Sequence, residues 1–79
     1  MNNTNTYKVN FTVIGNRECA TAVTFSPSIR KALEQAEGEA WREFETLGNT
    51  NYADCWVQIY NPKGKVIWAG FEGELRKAA

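Results

Sequence analysis

The sequence has no histidine, only two cysteines and two prolines, and its nine basic and nine acidic residues leave no formal net charge. Without histidine the usual general base is missing, and every histidine-dependent catalytic triad is excluded. Cys19 and Cys55 alone are too few soft ligands for a zinc site. Zero net charge argues against a strongly electrostatic nucleic-acid binder and against a heavily acidic DNA mimic. No apolar run approaches the ~20 residues of a membrane span. Met1-Asn2-Asn3-Thr4-Asn5-Thr6 has neither the basic nor the apolar region of a signal peptide. The expectation is a cytoplasmic protein with reduced thiols and no cofactor, metal or membrane partner.

What is present is the pattern of one small domain spanning 1–79, with 1–6 and 73–79 as frayed polar ends. Its net stability should be roughly 4–12 kcal/mol. Tyr7, Val9, Phe11 and Val13 alternate with polar residues, as in a half-buried strand. After a Gly15-Asn16 turn, Cys19, Thr21, Val23 and Phe25 form a second apolar phase. A three-residue loop, Gly15-Asn16-Arg17, sets Val13 on Cys19, Phe11 on Thr21, Val9 on Val23 and Tyr7 on Phe25. A slip of one residue would split these sets between faces.

A helix is predicted next, with Ser26 as N-cap, Pro27 in its first position and a stop at Gly48-Asn49. Ile29, Leu33, Ala36, Ala40, Phe44 and Leu47 form its apolar stripe. Gly38 falls on the solvent side at a cost of about 1 kcal/mol relative to alanine. Trp41 lies about 100° from the stripe centre, placing it either over a sheet edge or in solvent. Glu34, Glu37, Glu39, Glu43 and Glu45 spread around the helix, so they read as solvated surface with pairings such as Lys31 to Glu34. Asp54 and Glu72 flank one hairpin end without a surrounding pocket, and Cys55 reads as a buried core thiol. No set of residues for catalysis emerges, and the chain is expected not to be an enzyme.

The richest stretch is the last hairpin. Cys55-Trp56-Val57-Gln58-Ile59-Tyr60 and Lys65-Val66-Ile67-Trp68-Ala69-Gly70-Phe71 have strand composition. Pro62-Lys63-Gly64 suits a three-residue loop, with proline setting the turn and glycine the left-handed position. In that register Ile59 faces Ile67, Val57 faces Ala69 and Cys55 faces Phe71 on the helix side. The other side carries Tyr60 opposite Val66, Gln58 opposite Trp68 and Trp56 opposite Gly70.

The expected fold is α+β: a single-layer four-stranded sheet, mostly antiparallel, in the order β-β-α-β-β, with one helix packed on one face. Strand orders 2-1-4-3, 2-1-3-4 and 1-2-4-3 remain open. A disulfide between Cys19 and Cys55 would require the second and third strands to be neighbours.

The solvent-side set Trp56, Gln58, Tyr60, Val66 and Trp68, rimmed by Lys63 and Lys65 with Lys8 beyond, is the candidate partner-binding surface. Exposed apolar patches of this kind mark contact sites, and tryptophan and tyrosine are favoured at their hot spots. The alternatives are a cross-strand cluster that stiffens the hairpin, a surface for stacking single-stranded bases, and a homodimer interface.

In length, element order and the run from Trp56 to Trp68, the chain resembles small phage- and mobile-element-encoded proteins of the anti-CRISPR type. The resemblance covers residues 6–71 and carries no site residue. It implies a non-enzymatic inhibitor that docks on a bacterial defence complex in the host cytoplasm and blocks it sterically.

Overall fold

The chain forms its sheet from two hairpins joined through the first strand. In the computed structural model, which describes residues 5–48 and 52–78, the elements are β1 (Tyr7–Gly15), β2 (Cys19–Ser26), α1 (Ile29–Thr46), β3 (Tyr52–Tyr60), β4 (Val66–Phe71) and α2 (Glu72–Ala78). The sheet has four strands in the order β2-β1-β3-β4, and every neighbouring pair is antiparallel. The fold is therefore α+β, and of the open strand orders it takes 2-1-3-4. α1 packs on β1 and β2, while α2 packs beside β3 and β4. Leu75 of α2 reaches the same core as α1, so both helices occupy one side of the sheet. The stretch expected to fray after Phe71 is this second helix. The fraying expected at 1–4 and at Ala79, and the Asn49 part of the helix stop, lie outside the described residues.

The core is built on β1. Val9, Phe11 and Val13 are buried between Cys55, Val57 and Ile59 of β3 and the small residues Ala20 and Thr24 of β2; Ala32, Ala36, Ala40 and Phe44 of α1 cover them. Burying each large apolar side chain contributes roughly 1.5–3 kcal/mol.

The first hairpin departs from the expected register by one residue. Ile14 pairs with Cys19, Val13 with Ala20, Phe11 with Ala22 and Val9 with Thr24. Cys19, Thr21, Val23 and Phe25 consequently face away from the helix, reversing their expected core position. The physical reason is close helix packing. The alanines of α1 approach a strand that presents alanine and threonine, and the Thr24 hydroxyl donates to the Ala32 carbonyl. At the loop, a Cβ on Gly15 would lie 2.8 Å from the Phe44 ring, so the aromatic ring fits only over glycine there.

The second hairpin has the expected turn. Gly64 sits at φ +89°, Asn61 N–H donates to Lys65 O, and Asn61 Oδ1 accepts from the N–H groups of Lys63 and Lys65. Tyr60 pairs with Val66 as read, but the register shifts at once and Ile59 pairs with Trp68. This bulge at Ile67 moves the rest of β4 to the opposite face. Trp68, expected on the solvent side, is half-buried against the core on the helix side. Its ring lies over Gly70, which pairs with Val57 rather than Trp56. Phe71, expected inside, faces out beside Trp56. Since α1 lies over β1 and β2, the indole of Trp68 and Leu75 supply cover for the helix side of the second hairpin.

The start of α1 is also displaced. Ser28, not Ser26, is the N-cap and accepts from Lys31 N–H at 3.3 Å, while Ser26 Oγ accepts from Ser28 N–H. Gly48 ends the helix at φ +83°. Leu47, read as part of the stripe, is exposed. Trp41 is half-buried, edge-on to Phe44 with ring centroids 5.8 Å apart.

Candidate functional site

No described element packs on the face of the sheet opposite the helices, and that face carries the candidate site. Registers across all four strands arrange it in rows. One row runs Phe25, Lys8, Tyr60, Val66. The next runs Val23, Asn10, Gln58, Ala69, and the third Thr21, Thr12, Trp56, Phe71. Alternation along each strand holds these side chains outward while Val9, Phe11, Val57 and Ile59 point to the core.

The rows are not equivalent. In the first, Lys8 Nζ lies 4.5 Å from the centroid of the Tyr60 ring, a cation–π contact. Phe25 on its far side is 58% exposed. Thr6, Lys8, Phe25, Tyr60 and the Asn61–Pro62 turn line a shallow cleft of about 170 Å³ there. In the third row the Trp56 and Phe71 rings meet edge to face at 5.0 Å, and the Thr12 and Thr21 hydroxyls share a hydrogen bond of 2.9 Å. The middle row separates the two aromatic groups with polar amides. Asn10 Oδ1 is buried there without a hydrogen-bond partner among the described residues. An unmet buried acceptor costs roughly 1–3 kcal/mol, and such departures from full satisfaction concentrate at functional positions.

Of the residues singled out from sequence, Trp56, Gln58, Tyr60 and Val66 share this face, and Lys63 and Lys65 are exposed at the adjoining hairpin tip. Trp68 leaves the set. Phe25, Val23 and Phe71 join it, exposed at 58%, 46% and 39%. The sequence did hold a signal for Phe25 and Val23: Ala20, Ala22 and Thr24 match the small stripe Ala32, Ala36 and Ala40, which makes the small phase of β2 the inward one. For Phe71 there was none, because the bulge that turns it out is not marked by glycine.

The two thiols lie apart in the structure. Cys19 is exposed on this face and Cys55 buried on the other, with β1 between their strands. Two strand spacings of ~4.8 Å put their backbones beyond disulfide reach. Among the described residues no group of three or more Cys, Asp or Glu is placed to hold a metal ion, and no described helix is long and apolar enough to cross a membrane.

Set beside family models, curated proteins and solved structures, the chain matches none of them.

Proposed function

We propose that the chain is a non-catalytic protein-binding module that docks through the open face of its sheet and acts by occluding its partner. The observation that supports this reading is the exposure of Val23, Phe25, Val66 and Phe71 on the face that also carries Trp56 and Tyr60. Aromatic anchors beside uncovered apolar surface, with lysines at one margin, have the make-up of a contact site with a polar rim. The resemblance to phage-encoded inhibitors supplies a target class, a bacterial defence complex whose activity is lost when the face is engaged.

The test is affinity capture from bacterial lysate with the wild type and a Trp56→Ala/Tyr60→Ala variant side by side. The wild type retains a specific protein, and the variant, with an unchanged circular dichroism spectrum, does not. Equal retention by the folded variant would discard the reading.

The cleft at Lys8 favours a second reading. A cation between the exposed Phe25 ring and Tyr60 suits stacking of a single-stranded base. A mobility shift of labelled oligonucleotides at low salt separates the two readings, and absence of retardation at high protein concentration removes this one.

A further inference from the structure

The two edges of the sheet are unequal. β4 is blunted by its bulge at Ile67, a device that keeps an edge from pairing. β2 has neither lysine nor proline, and its register with β1 runs unbroken from Cys19 to Ser26. A groove of about 630 Å³ runs along it. Cys19 to Val23 line one side, and Glu39, Arg42, Glu43 and Thr46 of α1 line the other.

The backbone phase of this edge follows from the hairpin. Gly15 N–H donates to Glu18 O at 2.9 Å, and hydrogen-bonded and non-bonded pairs alternate along an antiparallel ladder. Val13–Ala20, Phe11–Ala22 and Val9–Thr24 are then the bonded pairs. The contact between the Thr12 and Thr21 hydroxyls fits the closer side chains of a non-bonded pair. Thr21, Val23 and Phe25 therefore aim their backbone N–H and C=O groups outward, along the groove.

We propose that this edge accepts an extended segment of a partner protein as a fifth strand, with basic side chains at alternate positions facing Glu39 and Glu43. Charge selects the occupant. Glu39 and Glu43 outnumber Arg42 on the helix wall, and among the described residues Glu43 forms no ion pair. The same wall disfavours a second copy of this chain, because a twofold pairing of β2 with itself would bring like-charged walls together. Side chains of the added strand on the other face would meet Val23 and Phe25, which suits apolar residues. Main-chain bonds supply affinity and alternate side chains specificity in this mode of recognition. The inference does not rest on the open-face reading, since β2 presents its edge whatever docks on the sheet.

The probe is the peptide Thr-Lys-Val-Lys-Val-Lys-Thr, compared with its counterpart carrying glutamate for lysine, titrated against the full chain by heteronuclear NMR. The lysine peptide shifts the amides of β2 and the glutamate peptide does not. Val23→Pro removes an N–H that β1 does not use, and an edge strand tolerates proline there. It weakens binding by about tenfold or more, as loss of a backbone hydrogen bond implies. Glu39→Lys with Glu43→Lys, both at exposed helix positions, reverses the preference to the glutamate peptide. Trp56→Ala/Tyr60→Ala binds as wild type does, which keeps the outcome separate from that of the open face. Failure of the lysine peptide to bind, equal binding of the two peptides, indifference to Val23→Pro in a folded variant, or a concentration-dependent dimer in sedimentation that Val23→Pro abolishes would each overturn the proposal.

Discussion

Gly15 and Gly38 show how differently one residue type is constrained along this chain. At Gly15 a methyl group would meet the Phe44 ring at 2.8 Å and the Glu18 carbonyl at 3.0 Å. Phe44 is almost wholly buried, so it cannot swing aside. Gly15→Ala should cost about 1–3 kcal/mol by overpacking. At Gly38 a methyl group would meet nothing within 4 Å, and the position is an exposed helix interior. Gly38→Ala should stabilise by about 1 kcal/mol through helix propensity alone. Urea unfolding checks both, with midpoints moving in opposite directions at constant slope. A neutral Gly15→Ala would mean that the Phe44 ring is looser than its burial implies.

At the level of elements, the bulge in β4 assigns different tasks to the two hairpin tryptophans. Trp68 packs against the core from the helix side, whereas Trp56 makes an edge-to-face pair with Phe71 on the open face. Trp68→Ala should therefore cost roughly 2–4 kcal/mol, somewhat below the range for fully buried aromatics. Trp56 is half-buried too but is not packed against the core, so Trp56→Ala should cost less, about 1–2 kcal/mol, of which the aromatic pair supplies about 0.5–1.5 kcal/mol beyond the area it buries. Chemical denaturation of the two variants provides the comparison, and equal losses would undo the assignment.

The same bulge marks where sequence reading stops. The Asn61–Lys65 turn was legible because proline, glycine and the asparagine side chain fix it locally. Trp56, Gln58, Tyr60 and Val66 lie on the open face as the turn register predicts, because they precede the bulge or adjoin the turn. Phe71 and Trp68 were reversed because one unpaired residue inverts every later side chain. The first hairpin differs from its expected register for a related reason. Two periodic phases competed in β2, and the choice was settled by the bulk of the helix above it, a tertiary fact. The expected cap at Ser26 rests on Pro27 as the first helical residue, whereas the helix starts later, at Ile29, with Ser28 as its cap.

For the molecule as a whole, the decisive junction is β1 against β3. It joins the unit β1-β2-α1 to the unit β3-β4-α2, and its residues are far apart in sequence, Val9 facing Ile59 and Val13 facing Cys55. Neither unit has a closed core of its own, because Val9, Phe11 and Val13 bury the side chains of β3 as well as those of α1. A lone hairpin is marginal in water, so loss of the junction should unfold both units together. In a variant where Trp41 and Trp56 are phenylalanine, Trp68 fluorescence reports on the C-terminal unit while far-ultraviolet circular dichroism reports chiefly on α1. The two transitions should coincide in urea. Val57→Ala, which removes buried methyl groups facing Phe11 and Gly70, should lower both midpoints equally, by about 2 kcal/mol of stability. If fluorescence moved while the helix signal stayed, the two units would be separately stable and the junction a docking contact within the chain.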